Sequence, residues 1–108
     1  MLLLDGRERE ITEATAVEVA VELADAITRR SPGELRDVLA MMRRAAADSD
    51  LDEGERATAA VQATAIAGYL DRAEDPLPAM LRLCAVVERA NSDPRFDWVT
   101  AMFEVGDV

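Results

Sequence analysis

The spacing of apolar residues constrains this chain most, because they return every three or four positions along most of its length. Between residues 13 and 30 the charged side chains of Glu18, Glu22, Asp25 and Arg29 follow one another at steps of four, three and four residues. Such steps draw one polar stripe along an α-helix. The buried side of this first helix is then predicted to carry Val17, Ala20, Val21, Ala24 and Ile27.

One part of the same segment also fits a β-strand. Residues 17–23 alternate apolar and polar side chains except at Ala20, and three of them are valines, which favour strands. A helix is preferred because the polar stripe continues to Arg29 and because Thr12 or Thr15 can cap it, Thr15 with Glu18 as a capping box.

The second predicted helix has the clearest start in the chain. Ser31 stands at the N-cap, Pro32 at the first helical position and Glu34 three residues after the cap. The core side of this helix is predicted to be Leu35, Val38, Leu39, Met42 and Ala46. The pairs Arg29-Arg30 and Arg43-Arg44 fall near helix ends, where positive charge favours the dipole, and this explanation is preferred over anion binding.

The third predicted helix follows an acidic connector and runs to about Arg72. Its cap is either Asp50 with Glu53 or Asp52 with Glu55. Residues 57–70 carry no charge, so this helix is predicted to be the central element of the fold. The small residues on one of its faces, which would let a neighbouring helix approach closely, are Ala60, Thr64 and Gly68.

Prolines divide the last third of the chain. The segment Asp75-Pro76-Leu77-Pro78 ends one helix and starts another, and Asn91-Ser92-Asp93-Pro94 repeats this pattern with Ser92 or Asp93 as the cap. The buried stripe of the fourth helix is predicted to be Leu77, Met80, Leu81, Cys84 and Val87.

These patterns predict an all-α fold, a compact bundle of four to five short helices in one domain. The helices are expected at about 13–30, 32–47, 52–72, 77–91 and 94–105, and residues 1–12 form either a short hairpin at Asp5-Gly6 or an extended arm. The 20 alanines and only four aromatic residues favour closely packed helices over sheets.

The net charge of the chain limits the classes of partner that it can bind. There are 22 acidic against 12 basic residues, a net charge of −10, and all basic residues are arginines. This charge opposes direct binding to nucleic acid phosphates or to an anionic membrane surface. No segment resembles a signal peptide or a membrane span, so a cytoplasmic protein is expected.

The sequence lacks the residue patterns that several kinds of catalytic and metal-binding site require. Histidine is absent, the glycines are scattered singly, and Cys84 lies in an apolar segment typical of a core thiol. The connector resembles a calcium loop at Asp48, Asp50 and Asp52, but residue 53 is not the glycine that such a loop needs. No catalytic residue, metal site or cofactor is therefore predicted.

One enzyme hypothesis is a magnesium-dependent nucleotide pyrophosphohydrolase. Such all-α enzymes bind magnesium through Glu-x-x-Glu and Glu-x-x-Asp motifs, which Glu10 with Glu13 and Glu34 with Asp37 match in letters. Each pair stands at the start of its helix. In an antiparallel hairpin the two starts are about 25 Å apart, too far to share one ion.

Two apolar segments favour an interaction function. The hypothetical interface consists of Leu2, Leu3, Leu4, Phe96, Trp98, Val99, Met102 and Phe103. The leading hypothesis is a non-catalytic acidic module for protein–protein interaction that self-associates into a homo-oligomer. The alternative is an acidic inhibitor that mimics nucleic acid and competes for a nucleic-acid-binding protein, as anti-defence proteins do.

Overall fold

The computed structural model describes residues 4, 10–93, 95–97 and 100–101, and within these residues all regular structure is helical. The helices are α1 (Ala16–Arg29), α2 (Pro32–Ala47), α3 (Glu53–Arg72) and α4 (Leu77–Ser92). Helix α2 packs mainly against α3, α1 packs mainly against α4, and α3 also contacts α4. The predicted all-α bundle is therefore confirmed, and it is built from two helix pairs.

Side-chain caps fix the starts of the two middle helices. The Ser31 hydroxyl accepts a hydrogen bond from the Glu34 N–H at 3.2 Å and donates one to the Glu34 carboxylate at 3.2 Å. The Asp52 carboxylate accepts from the Glu55 N–H at 2.8 Å. Each cap satisfies an N–H that has no partner within its helix. The predicted Ser31 cap is confirmed, and of the two alternatives for α3 the pair Asp52 and Glu55 is the one that forms.

The start of α1 differs from its prediction. Thr15 is the N-cap residue, but its side chain makes no capping hydrogen bond. The Thr15 hydroxyl instead accepts from the Thr12 N–H at 3.2 Å, so the predicted capping box with Glu18 is wrong. The Thr12 carbonyl accepts from the N–H groups of Thr15 and Ala16 at 3.0 and 2.9 Å, and α1 begins only at Ala16.

The buried face of α1 is rotated relative to the predicted one. Val17 is 62% exposed and Val21 is 50% exposed, so placing them in the core was wrong. The residues that α1 buries are Ala16, Val19, Ala20, Ala24 and Ile27. Alanine and valine stand on both sides of the predicted stripe, which makes the apolar arc wider than the contact with α4. The packing of the two helices decided which part of the arc is covered.

The core faces of α2 and α4 agree more closely with prediction. Leu35, Leu39 and Met42 are buried, while Val38 and Ala46 are half-buried at the edge of the core. On α4 the buried residues are Met80, Leu83, Cys84 and Val87. Leu83 takes the core position that was predicted for Leu81, which is exposed, and Leu77 is half-buried.

Helix α3 is the most enclosed element, as predicted, with ten buried residues, more than any other helix. The predicted close approach along its small residues is wrong at two positions. Thr64 is exposed, and Gly68 is covered by a side chain rather than by a helix. A Cβ atom at Gly68 would lie 2.6 Å from a carboxylate oxygen of Glu74, which Arg72 holds in place at 2.8 Å.

The segment before α1 is attached to the end of α4. Leu4 and Ile11 are both buried in the common core. The Asn91 side-chain amide donates a hydrogen bond to the Ile11 carbonyl at 2.8 Å, across 80 positions of sequence. The hairpin or arm predicted for residues 1–12 otherwise falls mostly outside the described residues.

The predicted fifth helix, at about 94–105, falls mostly outside the described residues. Residues 95–97 form a turn, and Thr100 and Ala101 are helical. The Asp97 carboxylate accepts from the Thr100 hydroxyl at 2.8 Å and from the Thr100 N–H at 3.2 Å. These hydrogen bonds lower the pKa of Asp97, the hydroxyl contributing most. Of the two predicted caps, Ser92 is the last residue of α4 and donates to the Glu88 carbonyl at 3.1 Å. The Asp93 carboxylate accepts from the Arg95 N–H at 3.0 Å, which is the hydrogen bond expected of a cap, but residues 95–97 form a turn and no helix.

The dimensions of the fold match its length. The radius of gyration is 12.8 Å, and a compact chain of this size is expected at about 13 Å. Of the helices formed by described residues, none has the length and apolar character needed to cross a membrane.

Candidate functional site

The predicted interface residues fall largely outside the part of the chain that the structure describes. Only Leu4 and Phe96 are described. Leu4 is buried in the core of its own chain, so assigning it to a contact with another chain was wrong. Phe96 is half-buried, and the Arg89 guanidinium stacks on its ring at 4.8 Å from the centroid. The predicted interface residues outside the described part are Leu2, Leu3, Trp98, Val99, Met102 and Phe103.

Among the described residues, the most exposed large apolar side chains are on α1. Val17 and Val21 stand one helical turn apart and therefore share a face, and at least half of each residue is exposed. We call these two residues the valine pair. Met41 on α2 and Leu81 on α4 are less exposed and stand singly on their helices. The sequence does predict that some valines of α1 are exposed. Val19 points away from Val17 and Val21 on a helix, so the three side chains cannot all face one core.

Carboxylates flank the valine pair along α1. Glu18, Glu22 and Asp25 are all exposed. Asp25 forms an ion pair with Arg29 at 2.9 Å, one turn further along the helix. Such an exposed pair contributes little to stability. The outer face of α1 therefore presents an apolar strip beside an acidic strip.

In the acidic connector between α2 and α3, two carboxylates accept hydrogen bonds from backbone N–H groups. The Asp48 carboxylate accepts from the Asp50 N–H at 2.9 Å, and Asp52 caps α3.

The acidic residues of the two pyrophosphohydrolase motifs are all exposed; they are Glu10, Glu13, Glu34 and Asp37. Within the described part of the chain no three acidic or cysteine side chains come together in a group that could hold a metal ion.

Cys84 is a core thiol, as predicted. It is 1% exposed, and burial raises its pKa to about 12. Because the thiolate is the reactive form of cysteine, this side chain is chemically quiet at neutral pH.

A polar pair lies inside the core, and no pattern in the sequence predicted it. Thr58 and Gln62 stand one turn apart on α3 and are 2% and 0% exposed. Neither the Thr58 hydroxyl nor either polar atom of the Gln62 amide has a hydrogen-bond partner among the described residues. Buried polar atoms in native proteins are nearly always hydrogen-bonded. We therefore expect this pair to lower the stability of the core, and it is too enclosed to serve as a binding surface.

No protein family matches this chain, and neither a curated protein nor a solved structure matches it.

Proposed function

We propose that this protein is a non-catalytic, acidic helical module for protein–protein interaction, and that it associates with a second copy of itself. The observation that supports the proposal is the valine pair, two β-branched apolar side chains left exposed on one face of α1. Covering such side chains removes apolar surface from water, which is the main driving force of association.

The size of this effect shows that the valine pair needs further contacts. Complete burial of a valine side chain is worth about 1.5 kcal/mol at the lower end of the usual range, and covering the exposed half is worth about 0.8 kcal/mol. A symmetric dimer with both pairs at its interface would gain about 3 kcal/mol. A dissociation constant of 1 μM corresponds to about 8 kcal/mol. The remaining predicted interface residues, above all Trp98, are proposed to supply the rest.

The charge of the protein predicts how salt acts on this association. Two copies that each carry −10 repel one another, and added salt screens this repulsion. Self-association through apolar side chains should therefore strengthen as ionic strength rises. An acidic inhibitor that binds a basic protein would show the opposite dependence, because salt screens the attraction between the partners.

The test is light scattering after size exclusion, at about 0.02 M and about 0.5 M salt, which bracket strong and weak screening. The wild-type chain is expected to be oligomeric, and more so at high salt. The double variant Val17→Ser/Val21→Ser should shift it towards monomer, and Trp98→Ala should do the same. Met41→Ser is the matched control, since it removes exposed apolar surface from α2 and should change nothing.

Three results would contradict the proposal. If the wild-type chain stays monomeric at a protein concentration of about 1 mM and at both salt concentrations, self-association is ruled out. An equal effect of Met41→Ser would show that the valine pair is not the contact. A monomer that binds a basic protein, with an affinity that falls steeply as salt rises, would support the acidic inhibitor instead.

A further inference from the structure

A cleft lies where α2 and the end of α3 pack together, on a part of the molecule that the proposed contact through α1 does not use. Its volume is about 850 Å³, and its lining includes Arg36 and Arg43 from α2 with Tyr69 and Asp71 from α3. Pockets for small molecules usually have volumes between about 300 and 1,000 Å³. The cleft is therefore large enough for a small organic molecule.

The two arginines give the cleft its chemistry. Arg36 and Arg43 are seven residues apart, which is two helical turns or about 10.5 Å along the axis, so both line the same side of α2. Both are exposed, and neither side chain has an ion pair or hydrogen bond within the described part of the chain. Their long side chains can converge on one group, and guanidinium is suited to phosphate and carboxylate.

Apolar side chains also line the cleft, and we call Leu39, Tyr69 and Leu70 its apolar floor. Leu39 from α2 is buried, and Leu70 and Tyr69 from α3 are half-buried, and all three line the cleft. An apolar surface beside a few directed polar groups is the usual composition of a small-molecule site. The phenol of Tyr69 combines an aromatic body with a polar end.

The charges of the cleft are unevenly placed. Both arginines come from α2, whereas the acidic residue, Asp71, comes from α3. An anionic group is therefore attracted to the α2 side, and a ligand with negative charge at both ends would be opposed by Asp71.

We propose that this cleft binds a small organic anion, a phosphate or carboxylate group carried on an apolar or aromatic body. Arg36 and Arg43 hold the anionic group. The body lies over Leu39, Tyr69 and Leu70. This inference does not depend on self-association, because the residues of the cleft belong to α2 and α3 and the valine pair belongs to α1.

The test is isothermal titration of the full chain at low salt with three probes. Phenyl phosphate carries both the anion and the aromatic body, phenylacetate replaces the phosphate by a carboxylate, and inorganic phosphate lacks the body. Phenyl phosphate is expected to bind saturably and inorganic phosphate at least about tenfold more weakly, because the apolar floor contributes to the first alone. The ratio of the dissociation constants of phenyl phosphate and phenylacetate identifies which anion the arginines prefer.

Matched variants assign the binding to the cleft. Arg36→Gln and Arg43→Gln should each weaken phenyl phosphate about tenfold or more, since each removes a charge-assisted hydrogen bond. Arg44→Gln is the control, because Arg44 is also exposed, adjacent in sequence and outside the lining of the cleft. Asp71→Asn should tighten binding by removing a repulsive charge. All four positions are exposed, and circular dichroism verifies that each variant keeps its helices.

Three outcomes would overturn the inference. One is the lack of saturable binding of phenyl phosphate and phenylacetate up to about 10 mM. Another is an equal loss of affinity with Arg44→Gln, which would show attraction to positive charge in general. The third is equal affinity for inorganic and phenyl phosphate, which would show that the apolar floor does not contact the ligand.

Discussion

Replacing Gln62 by methionine is expected to stabilise the fold, although Gln62 is the most enclosed polar side chain of α3. The side chain is 0% exposed, and both its amide oxygen and its amide nitrogen lack a hydrogen-bond partner among the described residues. Methionine has nearly the same length and no branch, so it can occupy the same space without the polar atoms.

The magnitude follows from the cost of a buried polar group without a partner, about 1–3 kcal/mol. Removing it should raise the free energy of unfolding by about 1–3 kcal/mol. In a domain of this size each kcal/mol corresponds to a rise of roughly 4 °C in melting temperature. Thr58→Val removes the neighbouring hydroxyl at nearly constant volume and should add about 1 kcal/mol. The two effects need not sum, because the side chains are one turn apart.

The assay is urea denaturation followed by circular dichroism, in which a higher midpoint with an unchanged slope reports greater stability. Thr64→Val is the matched control for Thr58→Val. It is the same substitution on the same helix, but Thr64 is exposed and its hydroxyl donates to the Ala60 carbonyl at 2.9 Å. The control should stay within about 0.5 kcal/mol of wild type. A loss of stability with Gln62→Met would refute the reasoning, since it would show that the amide is satisfied, for instance by an internal water.

Three further predictions concern single sites. Ala73 closes α3 in the left-handed conformation, with φ of 53°, so Ala73→Gly should raise the free energy of unfolding by about 0.5–1 kcal/mol in the same denaturation assay; a decrease would contradict the strain argument. Asn91→Ala should lower the free energy of unfolding by about 1 kcal/mol, because it removes the bond to the Ile11 carbonyl. Ser92→Ala should cost less, since the Ser92 hydroxyl donates only to the Glu88 carbonyl of its own helix. The pKa of Cys84 is raised from 9.0 to about 12, so the thiol stabilises the fold fully below pH 9 and loses this contribution as the pH rises towards 12; labelling by a thiol reagent at pH 8 should be as slow as unfolding, and rapid labelling would contradict its burial.

The candidate sites show where prediction from the sequence stops. The apolar and charged patterns predicted helices, but patterns along one helix carry no information on which other helix covers it. The cleft depends on Arg36 and Tyr69, which are 33 positions apart and are brought together only by the packing of α2 against α3. Gln62 is a single polar residue in an uncharged run, and its depth in the core follows from the enclosure of α3 on most sides.

The sequence by itself determined where α2, α3 and α4 begin. Ser31 and Pro32, Asp52, and the prolines around Leu77 act through their own hydrogen bonds and dihedral angles, within three or four residues, so their effect can be predicted without tertiary information.

Only the tertiary structure decided how each helix is rotated about its axis. On α1 the alanines and valines offered several apolar faces of similar quality, and contact with α4 covered Val19 and left Val17 exposed. On α4 the same competition buried Leu83 and exposed Leu81. The physical reason is that burial is a property of two packed surfaces together, and a wide apolar arc on one helix can meet its partner at more than one angle.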